Sequence, residues 1–212
     1  MVPVRLAAGL IALFTIVPAF ATWRTVEDAE QRKIESDFER AQRDTRSFKA
    51  DLRQTLHLAD SDRSIVSRGK FYYRAPDSIL IRFDQPAGEY TLLRGRDLYV
   101  KRRNQPVRHR KLDESAGPAG MFLDLFRSGG NAFQKDFRVE MKREGGELQV
   151  RLTPRDADEG APVEILNRLR LPAYDLQSVR VSQSANDWVQ YEFSSPVRDA
   201  SLPDELFQPP LR

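Results

Sequence analysis

The sequence predicts a mainly β (α+β) protein, built as a large curved antiparallel sheet or open barrel. Near the start of the chain, over residues 25–45, apolar residues recur with the spacing of an α-helix. From Phe48 onward apolar side chains alternate with a period of two, which is typical of half-buried strands. Turn-forming residues separate these runs at short intervals. Connections this short join antiparallel neighbours, because a parallel crossover needs a dozen or more residues.

The first element is predicted to be an amphipathic helix over residues 25–45. Thr25 stands three residues before Asp28 and can therefore cap the helix N-terminus. The apolar residues recur at spacings of four and three, at Ile34, Phe38 and Ala41. The remaining positions are almost all charged, so we expect a surface helix with one narrow apolar stripe turned inward.

Strands are predicted through most of the remaining chain. The first strand places Phe48, Leu52 and Leu56 on one face. Further runs cover residues 65–73, 79–83, 90–93, 98–102, 107–112, 137–143, 148–152, 163–169, 176–181 and 188–193. No internal repeat or long linker divides them. A sheet this large has two faces and few helices to cover them, so one concave face must be filled or used.

A second helix is predicted inside the strand series. Gly117-Pro118 precedes it and Gly129-Gly130 ends it. Its residues form two i,i+4 pairs, Met121 with Leu125 and Phe122 with Phe126. This aromatic and Met-containing surface is typical of an adaptable lid.

Residues 1–21 have the layout of a secretory signal peptide. Arg5 is followed by an apolar run, Pro18 and the small-x-small triplet Ala19-Phe20-Ala21, so cleavage is expected after Ala21. The apolar run is too short for a membrane-spanning helix. We expect residues 22–212 to form a single domain in the periplasm. The chain has no cysteine, so it carries no disulfide and no cysteine-linked lipid.

Charge and composition give little support to nucleic-acid binding or catalysis. The 34 Lys and Arg residues nearly balance the 31 Asp and Glu residues, although residues 101–103 and 108–111 form a local basic patch. His57 and His109 are the only histidines, and no residue pattern supplies a thiol nucleophile, a triad or a His-rich metal site. We therefore expect a monomeric binding protein without catalytic residues, a metal, a cofactor or a nucleic-acid partner.

Several segments together resemble the periplasmic outer-membrane lipoprotein carrier proteins of the LolA type. The most specific is Gly69 to Val100, with an aromatic strand containing glycine, a basic-x-Pro turn, an aromatic strand ending in Gln-Pro, and a Gly-x-x-Leu-Tyr hairpin. Ser47 to Asp51, the apolar inserted helix and the ending Leu202 to Pro210 add to it. Their joint order carries the resemblance, since no single piece is diagnostic.

The resemblance implies an incomplete antiparallel barrel whose open side is covered by helices. It also implies an apolar cavity for the acyl chains of a lipoprotein or other lipid-anchored cargo. The expected partners are an inner-membrane releasing ABC complex and an outer-membrane receptor. In the family an arginine before the turn proline holds the lid. Here that position is Ala75, and Arg74 is the candidate replacement although adjacent strand residues point to opposite faces.

Cargo contact is predicted for apolar residues on several strands and on the inserted helix. The candidates are Phe48, Leu52, Leu56, Ile79, Ile81, Phe83, Tyr90, Leu92, Met121, Phe122, Leu125 and Phe126. Each strand position could equally be ordinary core, because any half-buried strand alternates in this way. Two other functions stay open, a lipoprotein-sensing regulatory domain and a structural protein whose basic patch binds anionic headgroups.

Overall fold

The computed structural model describes residues 22–112, 136–156 and 162–209. These residues contain one α-helix, α1 (Asp28–Asp44), and twelve strands. The strands are β1 (Arg24–Thr25), β2 (Ser47–Leu58), β3 (Arg63–Arg74), β4 (Ser78–Gln85), β5 (Ala87–Arg94), β6 (Asp97–Lys101), β7 (Arg108–Lys111), β8 (Phe137–Glu144), β9 (Glu147–Pro154), β10 (Glu164–Arg170), β11 (Asp175–Ser182) and β12 (Trp188–Arg198). Short 3-10 helices cover Ala59–Ser61 and Asp204–Phe207.

All twelve strands belong to one antiparallel sheet in the order β1-β8-β9-β10-β11-β12-β2-β3-β4-β5-β6-β7. The outermost strands, β1 and β7, do not pair with each other, so the sheet is open. The long β2–β3 hairpin lies near the middle and continues into β12 on one side and β4 on the other. The predicted curved, open antiparallel architecture is therefore confirmed.

All the strands predicted from the sequence correspond to observed strands. The predicted start of the helix, however, was wrong. Arg24 and Thr25 pair with Arg143 and Lys142 of β8, so Thr25 belongs to a short strand and cannot cap the helix. The N-cap position is Glu27, whose side chain makes no capping hydrogen bond. The apolar stripe is as predicted, since Ile34 is buried and Phe38 and Ala41 pack against the same core.

The two faces of the sheet carry separate apolar clusters. The inner face bears the larger one, in which Phe71 contacts Phe48 and Phe193 edge-on at ring-centroid distances of 5.9 and 5.1 Å. On the outer face Leu80 and Leu92 pack with Phe207 of the C-terminal segment. Both faces of the central strands are thus covered, which explains why their apolar pattern is nearly continuous.

The predicted inserted helix at residues 121–126 and the predicted signal peptide at residues 1–21 lie outside the described residues. Across the three described ranges, no helix is both long and apolar enough to span a bilayer.

Candidate functional site

A cavity of about 270 Å³ lies on the inner face of the sheet. One wall comes from β4, β5 and β6, through Ile79, Ile81, Phe83, Thr91, Leu93 and Leu98. The facing wall comes from β11, β12 and β2, and includes Val181 and Val189. The volume is close to the lower limit, about 300 Å³, of typical small-molecule sites.

Strong curvature of the sheet creates this cavity. Strands β6 and β11 are six strand spacings apart in the sheet order, or about 29 Å if the sheet were flat. Side chains from both strands nevertheless line the same 270 Å³ space. The sheet must therefore fold over on its inner face, bringing its two halves together around the cavity.

A few polar groups are placed among the apolar lining. Gln54 of β2 and Tyr191 of β12 are directly opposite each other in the sheet, and both line the cavity. Burial raises the pKa of the Tyr191 phenol, and the positive charge of Arg102 partly offsets that rise. Arg102 and Arg110 line the cavity near the β7 edge. The lining is thus mainly apolar, with cationic groups at one side.

Three of the predicted contact residues, Ile79, Ile81 and Phe83, line the cavity. They alternate along β4 and so share its inner face. Phe48 and Leu52 lie on the same face and are buried in the same core cluster, but they do not line the cavity. Leu56, further along β2, is half-buried and lies opposite Ile65 of β3 and Val189 of β12.

Tyr90 and Leu92 were assigned to the wrong face. Leu92 lies directly opposite Leu80 of β4, and both are fully buried on the outer face beneath Phe207. Tyr90 belongs to this same outer cluster. A register shift after Phe83 in the β4–β5 hairpin determines which residues of β5 face inward. As a result, Thr91 and Leu93 face the cavity instead of Tyr90 and Leu92.

Arg74 also lies on the outer face, away from the cavity. Its guanidinium forms an ion pair with Asp204 and stands over the ring of Phe207 at 4.4 Å from the centroid. Among the described residues it therefore contacts the C-terminal segment, while the predicted lid lies outside the described residues. The alternation of strand side chains explains this placement, because neighbouring Tyr73 occupies the inner-face core.

An unpredicted arginine, Arg198, holds the end of α1 over the inner face. Its Nη1 donates to the Thr45 hydroxyl at 2.6 Å, and its Nε donates to Asp175 Oδ1 at 2.9 Å. Its Nη2 donates to the Ala173 carbonyl at 2.9 Å. These bonds connect the end of α1 to the turn between β10 and β11.

A bulge in β12 puts Arg198 on this face. Ser194 pairs with Asp51 and Val197 with Lys49, so β12 has one residue more than β2 over this stretch. The extra residue reverses the alternation, exposing Val197 and turning Arg198 inward. Pro196, inside an otherwise regular strand, is the sequence signal that could have identified the bulge.

Leu93 and Leu98 are cavity residues that the sequence prediction missed. They pair directly across the hairpin whose turn contains Gly95, and both face inward. Counting outward from this tight turn would have placed them opposite each other. The four candidates on the predicted inserted helix, Met121, Phe122, Leu125 and Phe126, lie outside the described residues.

This arrangement suits the noncovalent binding of an apolar chain. The aliphatic and aromatic walls offer dispersion and burial, and the few polar groups can orient one end of a ligand. In the described ranges, no group of three His, Cys, Asp or Glu side chains is arranged to hold a metal ion.

Fold and cavity together define an open-sheet protein with a ligand-sized apolar site. The chain belongs to the outer membrane lipoprotein carrier protein LolA family, whose model matches residues 43–210. A search of curated proteins finds no match.

The solved structures that this chain resembles have low sequence identity to it. A DUF1329 family protein from Desulfovibrio piger is 12% identical and has a TM-score of 0.51, with 84% of this chain and 96% of that chain covered. A LolA superfamily protein from Nitrosomonas europaea is 13% identical, with a TM-score of 0.44 and the same two coverages. The Pseudomonas aeruginosa MucA/MucB complex contains a chain that is 11% identical, with a TM-score of 0.47 and coverages of 83% and 59%.

Proposed function

We propose that this protein is a soluble periplasmic carrier that shields the acyl chains of a lipoprotein, or of another lipid-anchored cargo, in the inner-face cavity. It acts by binding and release, without a catalytic step. It receives cargo from an inner-membrane releasing ABC complex and delivers it to an outer-membrane receptor. Residues 1–21 direct secretion and are removed after Ala21. The observation that carries the proposal is the apolar cavity between the two halves of the sheet, in a chain of the LolA family.

The energetics of burial suit reversible carriage. Each methylene removed from water contributes about 0.8 kcal/mol, so a partly enclosed acyl chain gains several kcal/mol in the cavity. Such a gain is comparable with that of a single acyl chain in a membrane, whose binding is itself marginal and reversible. Extraction and delivery can therefore proceed with small differences in free energy between carrier, membrane and receptor.

The inner face continues beyond the cavity as exposed apolar surface. Ile65 is 53% exposed and Leu58 is 38% exposed, at the end of the β2–β3 hairpin. Ile65 shares the inner face with Leu56 and, across β2, with the cavity residue Val189. Exposed apolar side chains grouped in this way favour contact with an apolar ligand. They extend the surface available to a chain longer than the cavity.

Cargo identification and a transfer assay test this function. The protein is isolated from the periplasm and its bound material is identified by native mass spectrometry, where an acylated protein or lipid is expected. Loaded protein is then mixed with outer-membrane vesicles, with and without their receptor. Receptor-dependent loss of cargo is the result expected of a carrier. Stable retention of cargo would indicate a regulatory binding protein, and protein without acylated ligand would contradict both.

A further inference from the structure

Cationic side chains border the cavity at the β7 edge of the sheet. Arg110 of β7 pairs with Leu98 of β6, a cavity residue, and shares its inner face. Arg102 follows the end of β6 and also lines the cavity. Arg110 is exposed and the Arg102 side chain is 50% exposed, so this side of the cavity reaches solvent. The cavity therefore joins an apolar interior to a cationic, hydrated rim.

The carboxylate near this rim is already occupied. Glu89 of β5 lies 3.5 Å from Arg102 and also accepts a hydrogen bond from the Arg103 backbone N–H at 3.1 Å. Within the described ranges, the Arg110 guanidinium forms no hydrogen bond or ion pair. Among the described residues, one carboxylate thus stands against two guanidinium groups at the cavity. The rim retains an excess positive charge that an anionic ligand would balance.

We propose that the cavity selects an anionic amphiphile, with its acyl chain between the walls and its phosphate or carboxylate at Arg102 and Arg110. This inference rests on the proposed function and adds the chemical class of the ligand's polar end. A guanidinium group suits such an anion because its planar donors match the oxygens of phosphate and carboxylate in pairs. Neutral acyl chains bind the walls alone, and the anionic group sets their orientation.

If Arg110 served only to protect the edge strand, its charge would have no effect on which ligand binds. Charged side chains on an edge strand prevent pairing with other chains, whichever face they occupy. Lys111 is the matched control, because it is exposed on the same strand and lies opposite Asp97 on the outer face. Replacing Lys111 by a neutral residue should leave ligand selectivity unchanged, whereas replacing Arg110 should remove it.

The experiment compares two lipids with the same acyl chain, myristoyl lysophosphatidylglycerol, which is anionic, and monomyristoylglycerol, which carries neither a phosphate nor a charge. Affinities are measured by calorimetry for the wild type, Arg110→Gln, Arg102→Gln/Arg110→Gln and Lys111→Gln. The wild type and Lys111→Gln should bind the anionic lipid about tenfold more tightly than the neutral lipid, as expected for a charged hydrogen bond. Both Arg110 variants should lose most of this preference and keep their affinity for the neutral lipid. The single variant avoids leaving Glu89 without its arginine.

The outcomes separate this inference from the proposed function. Equal binding of both lipids by the wild type would overturn the anionic selectivity and leave the carrier function standing. Failure to bind either lipid would overturn both. Inorganic phosphate alone should bind far more weakly than the anionic lysolipid. Equal affinities for inorganic phosphate and the anionic lysolipid would show an anion site independent of the cavity and would also overturn the inference.

Discussion

Arg198 and Asp175 form an ion pair of 2.9 Å between strands β12 and β11. The same guanidinium donates to Thr45, just after α1, so one side chain joins the helix to the sheet. Phe38 of α1 packs edge-on against Tyr174, beside Asp175, at a ring-centroid distance of 5.9 Å. Polar and aromatic contacts thus fix the same end of the helix.

Replacing Arg198 should loosen the helix without disturbing the cavity. Arg198→Leu removes donors to the Thr45 hydroxyl and the Ala173 carbonyl and leaves Asp175 unpaired. We expect a loss of about 2 kcal/mol in unfolding free energy, measured by denaturation. Hydrogen exchange should accelerate within residues 28–44. The exposed Arg168→Leu should change neither quantity, and unchanged exchange in Arg198→Leu would contradict the anchoring role.

Arg74 should stabilise the C-terminal segment. Arg74→Leu removes the ion pair with Asp204 and the cation–π contact with Phe207, together worth about 1 kcal/mol. Limited proteolysis should then cleave within residues 199–209 more readily. Arg82→Leu, whose guanidinium lies 6.0 Å from the Tyr72 ring centroid, is the matched control and should have little effect. Unchanged proteolysis combined with altered cargo release would instead favour a role in lid control.

Gly69 should tolerate no side chain. A Cβ at this position would lie 2.1 Å from the Arg82 carbonyl oxygen, at a bulge between β3 and β4. Because the obstacle is backbone, Gly69→Ala should lower the unfolding free energy by about 2 kcal/mol or more. Gly146→Ala is the control, since its nearest neighbour would be 3.9 Å away. Equal unfolding midpoints for the two variants would contradict this packing.

Glu30 should give the fold an acid-sensitive contact. Hydrogen bonds from Arg24 of β1, and then from Arg143 of β8, lower the pKa of Glu30 from 4.5 to about 2. Because the folded-state pKa lies below the unfolded value, the stabilisation is fully present above pH 4.5. It is lost as the pH falls towards 2.

The melting temperature of the wild type should therefore exceed that of Glu30→Gln above pH 4.5, and the two should converge near pH 2. Glu39→Gln, on the same helix and without an arginine partner in the described residues, should show no such dependence. A difference between wild type and Glu30→Gln that is constant across this pH range would contradict the prediction.

Local sequence patterns predicted the elements better than their pairing. Alternation and turn residues located the strands because both are properties of neighbouring residues. The contacts of β12 with β2, and of β1 with β8, join distant segments, so no local pattern indicated them. The open, curved architecture could still be predicted, because a long series of short antiparallel connections permits few alternatives.

The predicted contact residues line the cavity only where the alternation along a strand is unambiguous. Ile79, Ile81 and Phe83 line the cavity because β4 alternates regularly before its bulge. Leu92 and Leu93 of β5 are consecutive and both apolar, so the sequence does not show which of them faces inward. Tertiary packing decides between them. Leu92 faces Phe207, which is far away in the chain, and Leu93 faces the cavity.

The central claim is that the inner-face cavity holds an acyl chain, and a variant that fills the cavity tests it most directly. Thr91 lines the cavity, so Thr91→Trp places a large ring in the space a ligand would occupy. Val66→Trp places the same ring at an exposed position on β3 that faces outward. We expect Thr91→Trp to remain folded and to lose at least about tenfold in affinity for myristoyl lysophosphatidylglycerol, measured by calorimetry. Val66→Trp should bind like the wild type. Unchanged affinity in a folded Thr91→Trp would show that the acyl chain binds elsewhere and would contradict the account.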